Sequence, residues 1–208
     1  MKNLKFKKVL LFSGLVFILG LTGCSQNKTT TPTTNSSTNN TKNIAEENTA
    51  EETNKYINQL GFDSISFNAK DLNGNDISDY AFNDSKVTMI NFWGTFCGPC
   101  IEEMPVLAEV SSEYNEEDFQ IIGIITDTFE GRSDNIDKAK SLVAENGVQF
   151  ANVIPNKDFV SNYLDGKIQA VPTTIFVDQD GNLIGQIQVG SLSEEKLREI
   201  IDELLLSV

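Results

Sequence analysis

Runs of strand and helix character alternate from about Gly61 to the end of this 208-residue chain, and that alternation predicts an α/β domain: one mixed sheet with helices on both faces. Three observations carry the prediction. Val87–Trp93 and Phe119–Thr126 are apolar runs of strand length, the texture of strands buried on both sides. Pro99–Tyr114, Asn135–Glu145 and Ser193–Leu206 carry apolar residues at helical spacing. Thr174–Val177 and Leu183–Val189 flank Asp178-Gln179-Asp180-Gly181-Asn182, turn chemistry that predicts a hairpin.

In chain order, Ser64–Ala69 alternates in strand fashion before the turn residues Leu72-Asn73-Gly74-Asn75. Val87–Trp93 is the first buried strand. The helix after it is expected to bury Ile101, Met104, Leu107, Ala108 and Val110, and Pro105 inside it is expected to kink it. Phe119–Thr126 is the second buried strand. Asn146-Gly147 ends the helix Asn135–Glu145. Phe150–Ile154 reads as a strand and Asp158–Leu164 as a short helix. Ser193-Glu194-Glu195 opens the last helix, with Leu197, Ile200, Ile201 and Leu204 on one side.

Composition excludes several chemistries. There is no histidine, so Ser-His-Asp and Cys-His sites and His-ligated metals are ruled out. A net charge of −14 argues against a nucleic-acid partner, which needs a basic patch. No metal is expected.

The N-terminus reads as an address. Lys2, Lys5, Lys7 and Lys8 precede an apolar run, Val9–Leu21, of signal-peptide length and too short for a membrane span. Leu21-Thr22-Gly23-Cys24 resembles the lipobox of bacterial lipoproteins, in which the chain is cut before the Cys and the Cys receives lipid. Residues 1–23 are therefore expected as a leader and Cys24 as a lipidation site. Cleavage would leave 12 basic against 30 acidic residues, a net of −18, so only the lipid would hold the protein at an anionic membrane. Thr29–Thr41 holds only Thr, Pro, Asn and Ser, and residues 24–60 are expected as a disordered tether. The domain is expected over 61–208.

The remaining cysteines form Cys97-Gly98-Pro99-Cys100, directly after a buried strand and opening a helix. A zinc site would need two further ligands, and the only other cysteine is Cys24. A structural disulfide over so short a loop would remove little unfolded-state entropy. The spacing favours reversible exchange. A first thiol at a helix N-terminus is stabilised as thiolate, and a second one turn in can attack the mixed disulfide. Cys97 is then the nucleophile and Cys100 the resolving thiol. Pro99 suits the first helical turn.

Asn91-Phe92-Trp93-Gly94-Thr95-Phe96-Cys97-Gly98-Pro99-Cys100 resembles the active-site strand and helix of thioredoxin-fold proteins. Ile101-Glu102-Glu103-Met104-Pro105 resembles the TlpA/ResA-like branch, the membrane-attached extracytoplasmic thiol–disulfide oxidoreductases. Val171-Pro172-Thr173-Thr174-Ile175-Phe176 resembles the family's cis-proline loop and the strand after it. The resemblance runs from about Phe62 to the C-terminus. It implies a thioredoxin-like fold with a TlpA-type N-terminal hairpin and a central insert between Asp127 and Phe150.

It also implies roles. Pro172 would be cis beside the disulfide, with the Val171 backbone offered to substrate. Trp93 would be an aromatic lid beside the site rather than plain core. Phe96 stands where the family usually has Trp; it would keep the apolar contact and lose the indole donor. Gly98 and Pro99 match the Gly-Pro of the reducing thioredoxin pair. Thioredoxin has a buried Asp at the position of Asn91, and Asn cannot ionise. In the TlpA/ResA-like branch an acid three residues after the second cysteine takes an active-site role, and Glu103 stands there. One helical turn from Cys100, it would raise thiol pKa values and act as general base; the alternative is a solvated glutamate, as Glu102 is expected to be.

The expected function is reduction of disulfides in exported proteins: apocytochrome c, a methionine sulfoxide reductase, or similar clients. A membrane thiol carrier of the CcdA/DsbD type would be the electron donor, and no cofactor beyond the redox disulfide and the N-terminal lipid is expected. The protein is expected as a monomer on the outer face of a Gram-positive cytoplasmic membrane. A disulfide-forming oxidase is the alternative, and a ligand-binding lipoprotein a more distant one. A copper carrier of the Sco type would need a wider cysteine spacing and a His. A thiol peroxidase would need an Arg beside one activated Cys, and only Arg132 and Arg198 exist.

Overall fold

The computed structural model describes residues 55–208, except 57, 131 and 133. The expected leader (1–23), the lipid site Cys24 and the tether up to residue 54 lie outside the described residues.

Seven strands form one sheet: β1 (Asn68–Asp71), β2 (Asp76–Ser78), β3 (Val87–Trp93), β4 (Phe119–Ile125), β5 (Asn152–Ile154), β6 (Thr173–Val177) and β7 (Leu183–Val189). Their spatial order is β2-β1-β5-β4-β3-β6-β7. β3, β4 and β5 run parallel, and the remaining pairs are antiparallel. The helices that follow β3 are α1 (Gly98–Glu113), α2 (Ile136–Glu145), α3 (Lys157–Phe159, widening into a π turn over Val160–Leu164) and α4 (Glu194–Leu205). The mixed α/β sheet is the predicted one.

β3 lies inside the sheet between β4 and β6, and all seven of its residues are buried. Alternation along it divides the core. Val87 and Met89 point to the side where Leu107 and Val110 of α1 pack with Leu197 and Ile201 of α4. Trp93 lies on that side too, among Cys97, Cys100 and Met104, with Ala139 of α2. Ile90 and Phe92 face the opposite side, against Phe67, Phe82 and Phe159. Both faces of the sheet are thereby covered.

The local signals act as expected. Ser193 caps α4 by accepting the Lys196 N–H at 3.2 Å. The hairpin turn between β6 and β7 is held by Asp178 Oδ1, which accepts from the N–H groups of Asp180 (3.0 Å) and Asn182 (2.9 Å). Gly181 sits there at φ +80°, with the Ile65 carbonyl too close to admit a side chain.

Three expectations are corrected. The first strand is Asn68–Asp71, not Ser64–Ala69; Ser64 makes only an isolated bridge to Asn182, because this stretch crosses the hairpin turn before meeting β2 and β5. The tether cannot extend to residue 60. Residues 55–60 are helical where described, and Tyr56 and Leu60 are buried in the core with Phe92 and Val177. The Tyr56 hydroxyl donates to the Gly185 carbonyl of β7. Pro105 lies inside α1, where it has no N–H to give the residue 101 carbonyl. Ile101 and Ala108 are only half-buried, and Glu103 takes a place on the buried face instead.

Candidate active site

The redox pair lies where β3 ends and α1 begins. Trp93 closes β3, residues 94–96 turn, and the Cys97 N–H bonds the Gly94 carbonyl at 3.0 Å. Cys97 is the N-cap of α1, and its sulfur accepts the Cys100 N–H at 3.2 Å. Cys97 and Cys100 are joined, with S–S 2.06 Å and Cα atoms 5.3 Å apart. Both are buried, Cys97 at 5 % exposure and Cys100 at 2 %. Gly98 and Pro99 between them are exposed.

The Val171–Pro172 bond is cis, and the Val171 carbonyl oxygen lies 3.5 Å from Cys97 Sγ. The main chain of this loop thus runs beside the outer sulfur, while Pro172 is buried and Val171 half-buried.

Trp93 is not a lid. At 1 % exposure it lies beneath the disulfide, and its indole N–H donates to Asn152 Oδ1 at 2.8 Å. The reason is β3's alternation, which turns Trp93 into the layer under α1. Gly123 on β4 makes room for this bond: a Cβ there would fall 2.2 Å from Asn152 Oδ1. Phe96, by contrast, is 69 % exposed, and its ring folds back over Gly94. The apolar ring flanking Cys97 is therefore a surface feature.

Glu103 is buried, at 4 % exposure, while Glu102 faces solvent. Glu103 Oε1 accepts the Leu192 N–H at 2.7 Å, and Oε2 is buried without a hydrogen-bond partner. Burial pushes the Glu103 carboxyl up from its ordinary value, against smaller lowering effects from the Leu192 N–H and the Asn91 amide. Asn91 itself donates to Thr174 Oγ1 at 3.2 Å. It sits in the layer between sheet and α1 as a neutral neighbour of the acid.

Sequence reasoning missed two parts of this site. One is the strap between β7 and α4: Gly190 N–H bonds the Pro172 carbonyl (2.8 Å), Ser191 Oγ the Pro99 carbonyl (3.1 Å), and Leu192 N–H the Glu103 carboxyl. Main-chain donors leave no composition signal. The other is Asp127 after β4, which accepts from Thr95. The two arginines are engaged elsewhere. Arg198 pairs with Glu113 and Glu194, and Arg132 lies 5.8 Å from the Phe129 ring centroid.

A dithiol–disulfide pair at a strand-to-helix junction, flanked by a cis-proline loop on a mixed sheet, defines a thioredoxin-fold thiol–disulfide oxidoreductase. Residues 61–186 match the AhpC/TSA family, and the chain belongs to it. It is similar to the thiol-disulfide oxidoreductase ResA of Bacillus thuringiensis (strain Al Hakam), 30% identical over 148 residues that cover 70% of this chain and 79% of that one. ResA of Halalkalibacterium halodurans is 29% identical over 143 residues, covering 68% of this chain and 75% of that one. Among solved structures, a thiol:disulfide interchange protein of the thioredoxin family from Chlorobium tepidum TLS superposes with a TM-score of 0.59 at 23% identity, covering 69% of this chain and 95% of that chain. That likeness shows the fold.

Proposed function

We propose that this oxidoreductase reduces disulfides of exported proteins outside the cytoplasm, with Cys97 as the attacking thiol and Cys100 as the resolving thiol. One observation carries the reading. Cys97 caps α1, where free N–H groups favour a thiolate, and it lies against the Val171 main chain, along which a client strand can align. In the dithiol form, the Cys97 thiolate attacks one sulfur of the client disulfide, and the released client thiolate takes up a proton. Cys100, losing its proton, attacks Cys97 Sγ and expels the second client thiolate, which is protonated in turn. Two electrons and two protons pass to the client, and the Cys97–Cys100 disulfide forms.

Glu103 is the base we assign to Cys100. It lies one turn along the same helix face, and its unpartnered buried oxygen can accept a proton. Trp93, Phe96, Gly98, Pro99, Val171 and Pro172 shape the site, Trp93 from beneath and Phe96 from the rim. A lipid on Cys24 would hold the protein at the outer face of the membrane. A membrane thiol carrier of the CcdA/DsbD type would return electrons, and apocytochrome c or an oxidised methionine sulfoxide reductase would be typical clients.

Insulin reduction by the purified protein tests the chemistry. The wild type is expected to be active, and Cys97→Ser to lose activity by more than about a hundredfold, as removal of a nucleophile does. Retained activity in Cys97→Ser would overturn the assignment. In the native host, Cys100→Ser should accumulate mixed disulfides on Cys97; their absence would count against the client reading. Direction is tested by equilibration with glutathione, where a potential well above thioredoxin's would favour oxidase action.

A further inference from the structure

The end of β4 grips the turn that presents Cys97. Asp127 is half-buried there. Its Oδ1 accepts the Thr95 N–H at 3.0 Å and its Oδ2 the Thr95 hydroxyl at 2.6 Å. Asn135, the residue preceding α2, donates its amide to the same Oδ2 at 3.1 Å and to the Asp127 carbonyl at 3.2 Å. Thr95 itself is buried, at 2 % exposure. One residue earlier on β4's exit, Thr126 donates to the Trp93 carbonyl through its N–H (2.8 Å) and hydroxyl (3.0 Å). The turn over residues 94–96 is thus tied to the far side of the site, while the Cys97 N–H closes it on Gly94.

The donors around the Asp127 carboxylate are neutral. Among the described residues no ion pair includes Asp127. The other charged groups on the elements around the turn are Glu102, Glu103, Glu109 and Glu113 on α1, Glu130, Arg132 and Asp134 after β4, and Asp137, Lys138, Lys140 and Glu145 on α2; Arg132 is placed against Phe129, and neither lysine forms an ion pair with Asp127. The carboxylate therefore stands behind the cysteine loop with no paired cation.

We propose that Asp127 is a positioning residue for thiol exchange: it fixes Thr95, and with it the turn that presents Cys97, and its negative charge biases the pair toward giving up electrons. The physical reason is electrostatic. A nearby anion disfavours the Cys97 thiolate. A dithiol whose thiolate is less stable holds its electrons less firmly, and the disulfide is correspondingly favoured. The helix N-terminus acts in the opposite sense. The two together set the poise. This inference rests on Cys97 being the nucleophile, which the Cys97→Ser assay tests separately.

The test uses the purified protein with Asp127→Asn, Thr95→Val and Thr95→Ser. Two quantities are read: the pH dependence of Cys97 alkylation in the reduced protein, and the equilibrium constant with glutathione. Asp127→Asn is expected to move the alkylation midpoint to lower pH and to shift the equilibrium about three- to tenfold toward the dithiol. Thr95→Ser, which keeps the hydroxyl, is expected to match the wild type. Thr95→Val loses one bond but keeps the charge, so exchange slows several-fold without a lowered midpoint. An Asp127→Asn protein with the wild-type midpoint and equilibrium would overturn the proposal, whatever its melting temperature. So would a Thr95→Val midpoint lowered as far as that of Asp127→Asn, since loosening alone would then explain both. Should Asp127→Asn fail to fold, an unchanged exchange rate in Thr95→Val overturns the positioning role. A wild type that reduces insulin while Asp127→Asn is indistinguishable from it sinks this inference and leaves the reductase reading standing.

Discussion

Glu103 shows how one residue ties proton chemistry to stability. Burial raises its folded-state pKa above the ordinary 4.5, so the folded state binds a proton more readily than the unfolded one. Between the unfolded value and the raised folded value, stability therefore falls as pH rises. In Glu103→Gln that loss disappears. The variant is expected to gain stability relative to wild type between about pH 4 and about pH 7, read as a difference in denaturant midpoints at the two values, while its rate of mixed-disulfide resolution falls. A midpoint difference independent of pH would mean that Glu103 titrates as an ordinary surface acid. Gly123 offers a second test at this scale. A Cβ at this position would lie only 2.2 Å from Asn152 Oδ1, so Gly123→Ala must displace Asn152 and break its bond to Trp93. The expected cost is about 2–4 kcal/mol, measured by chemical denaturation.

At the level of elements, α4 serves the site through the strap that precedes it. Its cap at Ser193 and its buried stripe of Leu197, Ile200, Ile201 and Leu204 fix where the helix starts. The strap over residues 190–192 ends at that start, so α4's docking holds the Leu192 N–H on Glu103 and the Gly190 N–H on Pro172. Ser193→Ala is expected to cost about 1 kcal/mol through loss of the cap. Ile201→Ala, fully buried against α1 and β3, is expected to cost about 2–5 kcal/mol. Thermal or denaturant melts check both. This helix was legible in the sequence because a Ser-Glu-Glu start and an apolar stripe are local signals. The strap was not, because two of its three donors are backbone groups and all its partners lie far along the chain, 89 residues away for the Leu192 N–H.

For the molecule as a whole, the domain begins earlier than composition suggested. Tyr56 and Leu60 cover the face of the sheet opposite α1, at 2 % and 5 % exposure. A chain starting at residue 61 uncovers that patch and is expected to be about 3–5 kcal/mol less stable than one starting at residue 55, an upper figure for two large apolar side chains. Equal denaturant midpoints would show that these residues add nothing. The acidic, weakly apolar stretch before Leu60 reads as linker because its apolar residues are sparse; among the described residues 55–60, Tyr56 and Leu60 are the buried ones.

The α/β class, the order of the elements from Val87 onward and the redox pair all follow from sequence alone. They are encoded by near neighbours: buried runs of strand length, capped amphipathic helices, and two cysteines one helical turn apart. The folded arrangement was needed to establish that Trp93 is a floor and not a lid, that Glu103 is buried with one oxygen unpartnered, and that Asp127 and the strap over residues 190–192 brace the cysteine turn. Those outcomes depend on which face of β3 meets α1 and on hydrogen bonds between segments distant in the chain. Local pattern carries no information about such partners, because a backbone donor or a carboxylate looks the same in sequence whether water or a buried neighbour completes it.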